Sequence, residues 1–175
     1  MKHPTFGRPN HEHGPRYAHV YLAQTNGKED LLHELKRTRD LLIQAWKNIP
    51  SDKEDFRYAE GKWSIKGVIS HVIDTERIFA YRALRFSRHD DTPIEGYEQD
   101  LYDANSNLDN RSIATMIAEF ESVRNNTILL FESMIQEQLD FVGTASHNPL
   151  SPRTAGWIIV GHALHHQDII FERYL

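Results

Sequence analysis

Gly161-His162-Ala163-Leu164-His165-His166-Gln167-Asp168-Ile169-Ile170 reads, with Ile158 and Ile159 just upstream, as a helix that turns one face to the core. Positions i and i+4 lie one above the other on a helix, so His162 and His166 share a face. Two imidazoles stacked in this way reach one cation from the same side. A third histidine, His71, lies in a second apolar run, Ile69-Ser70-His71-Val72-Ile73. Three neutral imidazoles brought together would hold a metal and leave coordination positions open for water or substrate. The expectation is a metal-binding helical bundle.

Working outward, Ser151-Pro152 opens this helix as an N-cap followed by proline at the first helical position. Three more segments share its periodicity. The first spans about Glu29 to Ile49, with Leu31, Leu35, Leu42, Ala45, Trp46 and Ile49 as its stripe, and stops at Pro50-Ser51. The second starts at the N-cap Ser64, where Trp63 and Val68 take the two positions of a hydrophobic staple. Its stripe is Ile65, Val68, Ile69, Val72, Phe79, Ala83 and Phe86. The third runs from about Ser112 to Gln138, with Ile113, Met116, Ile117, Phe120, Leu130, Phe131 and Met134 inward. No alternating run supports a sheet. The expected fold class is all-α, a four-helix bundle over residues 28–175.

Two segments fall outside the helices. Residues 1–27 hold Pro4, Pro9 and Pro15 and read as an extended N-terminal arm, with a short packed piece around Tyr17, Val20 and Tyr21. The long loop between helices 2 and 3, about Ser87 to Arg111, carries Asp90, Asp91, Glu95, Glu98, Asp100 and Asp103 beside Tyr97 and Tyr102. Loops of this length act as lids, binding loops or dimer contacts.

Bulk properties exclude several classes. The 175 residues suffice for one domain with a real core. Net charge is -5 with His neutral, and no Lys/Arg block occurs, which argues against nucleic acid or an anionic membrane as a partner. No apolar run reaches membrane-spanning length, and the N-terminus lacks a signal-peptide core, so a cytoplasmic location is expected. There is no cysteine, which removes disulfides, thiolate sites and a cysteine nucleophile. Any thiol chemistry would need a thiol brought by a small molecule.

Eleven histidines make any single one weak evidence. A buried pair in HxxxH spacing needs a metal or a hydrogen-bond partner to satisfy it, and Gly161 beside it leaves room for close helix approach or a ligand. Spacing alone does not choose between His165 and His166 as the second ligand, and a lone His71 would ordinarily be a core residue. His11 and His13 on the arm are incidental metal binders; His3, His19, His33, His89 and His147 read as surface residues. Glu76 is the carboxylate of most interest, since its spacing from Val72 and Phe79 sets it on an apolar stripe. It is the candidate catalytic general base, or a partner to an imidazole, or half of a buried pair with Arg77 or Arg124, the pair being the plainer reading. Asp74 and Asp168 are candidates to orient imidazoles, with helix-surface charges as the plainer alternative.

Two segments resemble the signature segments of the DinB/YfiT-like metalloenzyme superfamily: Trp63-Ser64-Ile65-Lys66-Gly67-Val68-Ile69-Ser70-His71-Val72-Ile73-Asp74-Thr75-Glu76-Arg77 and Gly161-His162-Ala163-Leu164-His165-His166. Tyr81-Arg82-Ala83-Leu84-Arg85 and Gly143-Thr144-Ala145-Ser146 add to the likeness, which covers residues 28–175. The resemblance implies a DinB-like four-helix bundle, often dimeric, with a divalent metal on His71, His162 and His166 and His165 outside the ligand set. Zinc, nickel, iron or manganese would suit such a site. It further implies a metal-dependent hydrolase or a low-molecular-weight-thiol S-transferase acting on a small molecule. The alternative is a non-catalytic metal- or ligand-binding bundle.

Overall fold

The elements that carry the four expected stripes are α2 (Leu31–Lys47), α3 (Ile65–Ser87), α5 (Ile113–Glu132) and α7 (Pro152–Arg173), in a computed structural model that describes residues 4–175 apart from the His11 side chain. Three short helices join them: α1 (Ala18–Ala23), α4 (Gln99–Ala104) and α6 (Gln136–Asp140). Each long helix starts where a side chain satisfies an otherwise unpaired N–H. Asp30 accepts from the His33 amide, Ser64 from Gly67, Ser112 from Thr115 and Ser151 from Thr154. Trp63 and Val68 meet in the same apolar cluster, as a staple requires. Among the described residues no helix is long and apolar enough to cross a membrane.

Around the bundle the order is α2–α5–α3–α7, since α2 and α3 each pack against both α5 and α7. Helices consecutive in the chain, α2 and α3, therefore stand diagonally opposed. The core falls into two apolar clusters. One gathers Leu31, Leu35, Phe79, Phe86, Phe131, Trp157 and Val160; the other gathers Leu42, Trp46, Ile69, Val72, Met116, Phe120 and Ala163. Between them each helix contributes a buried polar residue: Thr38, Glu76, Arg124 and His162. This polar layer positions the candidate site.

Several expectations need correction. The third long helix does not reach Gln138. It stops at Glu132, Ser133 caps it, Met134 buries, and a new turn begins in which the Gln138 side chain accepts from the Ile135 amide. The break lets α6 present Asp140 to Arg153 on α7 at 2.7 Å. A small antiparallel hairpin, β1 (Gly143–Ala145) with β2 (Asn148–Leu150), appears where no sheet was expected. Three-residue strands are too short to show alternation. Its turn places Ser146 and His147 at φ 49° and 61°, a left-handed conformation without the Asn-Gly signature that announces it.

The N-terminal arm lies along the bundle. The Phe6 carbonyl accepts from the Leu31 amide at 2.9 Å, and the Gly7 carbonyl from Trp157 Nε1 at 2.9 Å. In α1 the buried residues are Ala18 and Leu22, whereas Tyr17 and Val20 of the piece expected to pack are 48% and 56% exposed. The long loop after α3 folds back onto the hairpin, the Ile94 amide donating to the Thr144 carbonyl at 3.0 Å.

Candidate metal centre

A turn of α7 separates His162 from His166, and their ring centroids stand 4.4 Å apart. From α3, His71 approaches to 4.8 Å of each. One nitrogen from each of the three rings lies within 4.8 Å of the others. The Nε2 atoms of His71 and His162 are 2.9 Å apart, so one carries the proton that the other accepts. The Nδ1 of His166 is buried with no hydrogen-bond partner among the described residues. His165 is outside this trio, its ring edge-on to His166 at 5.3 Å and to Tyr21 at 5.6 Å.

The surroundings keep these rings neutral. Burial pushes His71 down to about 4, with Asp100 opposing the shift. Burial pushes His166 down to about 3, helped by His71 and His165. His162, buried most deeply, lies well below the ordinary imidazole range, first through burial and then through its three histidine neighbours. Neutral imidazole is the form that donates a lone pair to a cation. Aromatic neighbours fix two of the rings: Trp63 lies 4.8 Å from His71, and Tyr21 stands edge-on to His162 at 5.1 Å.

Gly161 explains how Tyr21 arrives there. A Cβ at this position would stand 2.0 Å from the Tyr21 carbonyl oxygen, so glycine lets the α1 backbone touch α7. Of the two uses the sequence left open for Gly161, the structure realises close helix approach.

His71 and His162 open onto a cavity of about 660 Å³. Tyr17, Tyr21 and Tyr97 line it, with Thr75, Phe79 and Arg82 from α3. Gly96, Tyr97 and Glu98 of the loop and Gln99 at the start of α4 form part of its wall, and the Tyr97 hydroxyl is hydrogen-bonded to that of Thr75 at 2.8 Å. Nothing in the sequence spacing marks Tyr97 as a candidate site residue. Arg82 carried the same signal as Glu76, a charge spaced three residues after Phe79 and four before Phe86 on the apolar stripe.

Glu76 is engaged by an arginine of α5. Both of its oxygens accept from Arg124, Oε1 from Nε at 2.7 Å and Oε2 from Nη2 at 2.8 Å. It does not line the cavity. The buried pair with Arg124 is what the structure shows, and it leaves Glu76 poorly placed to take a proton from a substrate. Asp74 meets Arg77 at 3.4 Å, and Asp168 is exposed. Among the described residues neither is hydrogen-bonded to a site imidazole. His19, His33, His89 and His147 are exposed, as expected of surface residues. His3 and the His11 side chain lie outside the described residues.

Three neutral imidazoles, two buried and the third half-buried with an orphaned nitrogen, form a donor set suited to a divalent transition metal. Among solved structures the chain is similar to YfiT from Bacillus subtilis, described as a probable metal-dependent hydrolase with an unusual four-helix bundle topology. The TM-score is 0.73 at 15% identity, over 94% of this chain and 90% of that one. At that identity the likeness is one of fold. No curated protein matches the chain. The family model of the DinB superfamily matches residues 34–170, a span that holds the polar layer and all three clustered histidines; the chain belongs to the DinB superfamily.

Proposed function

We propose that this protein is a divalent-metal-dependent enzyme acting on a small molecule, with the metal held by His71, His162 and His166. The observation that carries the reading is the convergence of three neutral imidazole nitrogens within 4.8 Å, with two of the rings, His71 and His162, lining a 660 Å³ cavity. A site meant only to brace helices would be closed by protein ligands, whereas this one has a cavity beside it. Bound there, a divalent cation supplies Lewis acidity and makes a hydroxylic or thiol group easier to deprotonate. The protein's own share is orientation and hydrogen bonding. Tyr21 and Trp63 hold two of the rings, and the cavity phenols, raised by burial, stay protonated and able to donate.

Hydrolysis is the first reading, in line with the description of YfiT. Transfer of a low-molecular-weight thiol is the second, and the commitment of Glu76 to Arg124 favours it. Hydrolysis calls for a carboxylate or imidazole beside the attacking oxygen, while a thiol, intrinsically the stronger acid, needs less help.

Metal content of the full chain carrying His3→Ala, His11→Ala and His13→Ala tests the site. The arm stays in place because it packs on the bundle. Near one metal per chain is expected, lost on adding His162→Ala while the far-UV circular dichroism persists. No metal, or equal metal in both proteins, overturns the reading. Turnover of hydrolysable esters and amides against thiol-dependent turnover then separates the two chemistries.

A further inference from the structure

Among the described residues three arginines are buried, Arg124 at 0%, Arg82 at 2% and Arg153 at 5% exposure, the last paired with Asp140. A guanidinium withdrawn from water needs a counter-charge. Arg124 has one in Glu76. Arg82 has none among the described residues: its Nη2 donates to two neutral oxygens, the Glu95 carbonyl at 3.3 Å and Ser146 Oγ at 2.9 Å, and its Nε is buried with no acceptor. These bonds tie the group to the loop and to the hairpin turn, and the Phe79 ring lies under it at 5.0 Å. The charge is held still and left without a counter-ion.

The same arginine lines the cavity onto which His71 and His162 open. The rest of that wall suits an anion. Tyr17, Tyr21 and Tyr97 contribute protonated hydroxyls, and the one acid among the lining residues, Glu98, sits exposed at the rim. One fixed guanidinium matches a singly charged, planar group better than a phosphate dianion, for which no second basic side chain stands beside Arg82 on the wall.

We propose that the cavity takes a small carboxylic acid, its carboxylate held by Arg82 and its reacting end turned to His71 and His162. The second half rests on the metal-dependent reading above; the first rests on Arg82 alone.

The test uses the full chain, zinc-loaded and chelator-treated, with benzoate, benzamide and inorganic phosphate as probes. Binding is followed by calorimetry and by the NMR signal of the Arg82 Nε–H, assigned by its absence in Arg82→Lys. Benzoate should bind both forms and shift that signal, benzamide should bind neither, and Arg82→Gln should weaken benzoate at least about tenfold, the loss of one charge-assisted contact. The wild-type comparison of benzoate with benzamide stands even if Arg82→Gln fails to fold. Equal binding of benzoate and benzamide, no shift of the Arg82 signal, or a preference for phosphate overturns the proposal. Because the chelator-treated protein is included, a failure of carboxylate binding is distinguishable from a failure of metal binding, which the zinc titration reads separately.

Discussion

Glu76 sits where a charge is costly, 2% exposed on the apolar face of α3, and Arg124 takes both of its oxygens. Arg124 also donates to the Leu35 carbonyl at 3.1 Å and to Thr38 Oγ1 at 2.8 Å, so α2, α3 and α5 meet at one guanidinium. Removing one partner of a buried pair leaves the other charge unpaired, at a cost of about 3 kcal/mol or more. Glu76→Gln is therefore expected to lower the unfolding free energy by roughly that amount in urea titration, with metal stoichiometry unchanged. Loss of metal or turnover without loss of stability would instead place Glu76 in the chemistry. Residues of this kind are half legible. Periodicity marks Glu76 as a charge on the wrong face, and HxxxH spacing marks the His162–His166 pair. The identity of Glu76's partner, and the choice of His166 over His165, depend on how α5 and α3 face their neighbours, which no single helix encodes.

The six residues of α1 have no expected stability alone, yet this helix delivers Tyr17 and Tyr21 to the cavity. What seats it is burial of Ala18 and Leu22 and the absence of a side chain at Gly161. In Gly161→Ala the new Cβ would meet the Tyr21 carbonyl carbon at 2.6 Å as well as its oxygen, and neither can swing aside as a side chain would. Overpacking of this sort costs about 1–3 kcal/mol. Faster amide hydrogen exchange across α1 is expected, with α2, α3 and α5 keeping their protection. Uniform loss of protection would mean that α1 is no separable unit. At this scale the long helices announced themselves through caps and stripes, Ser64 and Ser151-Pro152 above all. The hairpin did not, because its strands are short and its turn uses Ser146 and His147. Nor did the break at Ser133, where apolar residues continue on both sides of a turn.

Two apolar clusters enclose the polar layer, and this arrangement decides what a bound metal would do for the whole molecule. In a small zinc domain the metal replaces a missing core, and chelation unfolds the chain. Here the core is present on both sides of the histidines, with Trp46 and Phe120 packed 4.8 Å apart in one cluster and Phe86, Phe131 and Trp157 fully buried in the other. Without metal, the histidines also partly satisfy one another through the 2.9 Å contact between His71 and His162. The metal-free protein should therefore remain folded at room temperature, with an unchanged far-UV spectrum. Metal that binds only the folded state adds RT ln(1 + [M]/Kd), about 2.7 kcal/mol when free metal is a hundredfold above Kd. For a chain of this size each kcal/mol moves Tm by about 2–4 °C, so chelation should lower Tm by roughly 5–10 °C. A thermal scan with and without chelator checks this, and His162→Ala should have a Tm that no longer responds to added metal. Collapse of the helical signal on chelation at room temperature would instead show that the ion braces the fold, its binding energy then being part of the folding energy.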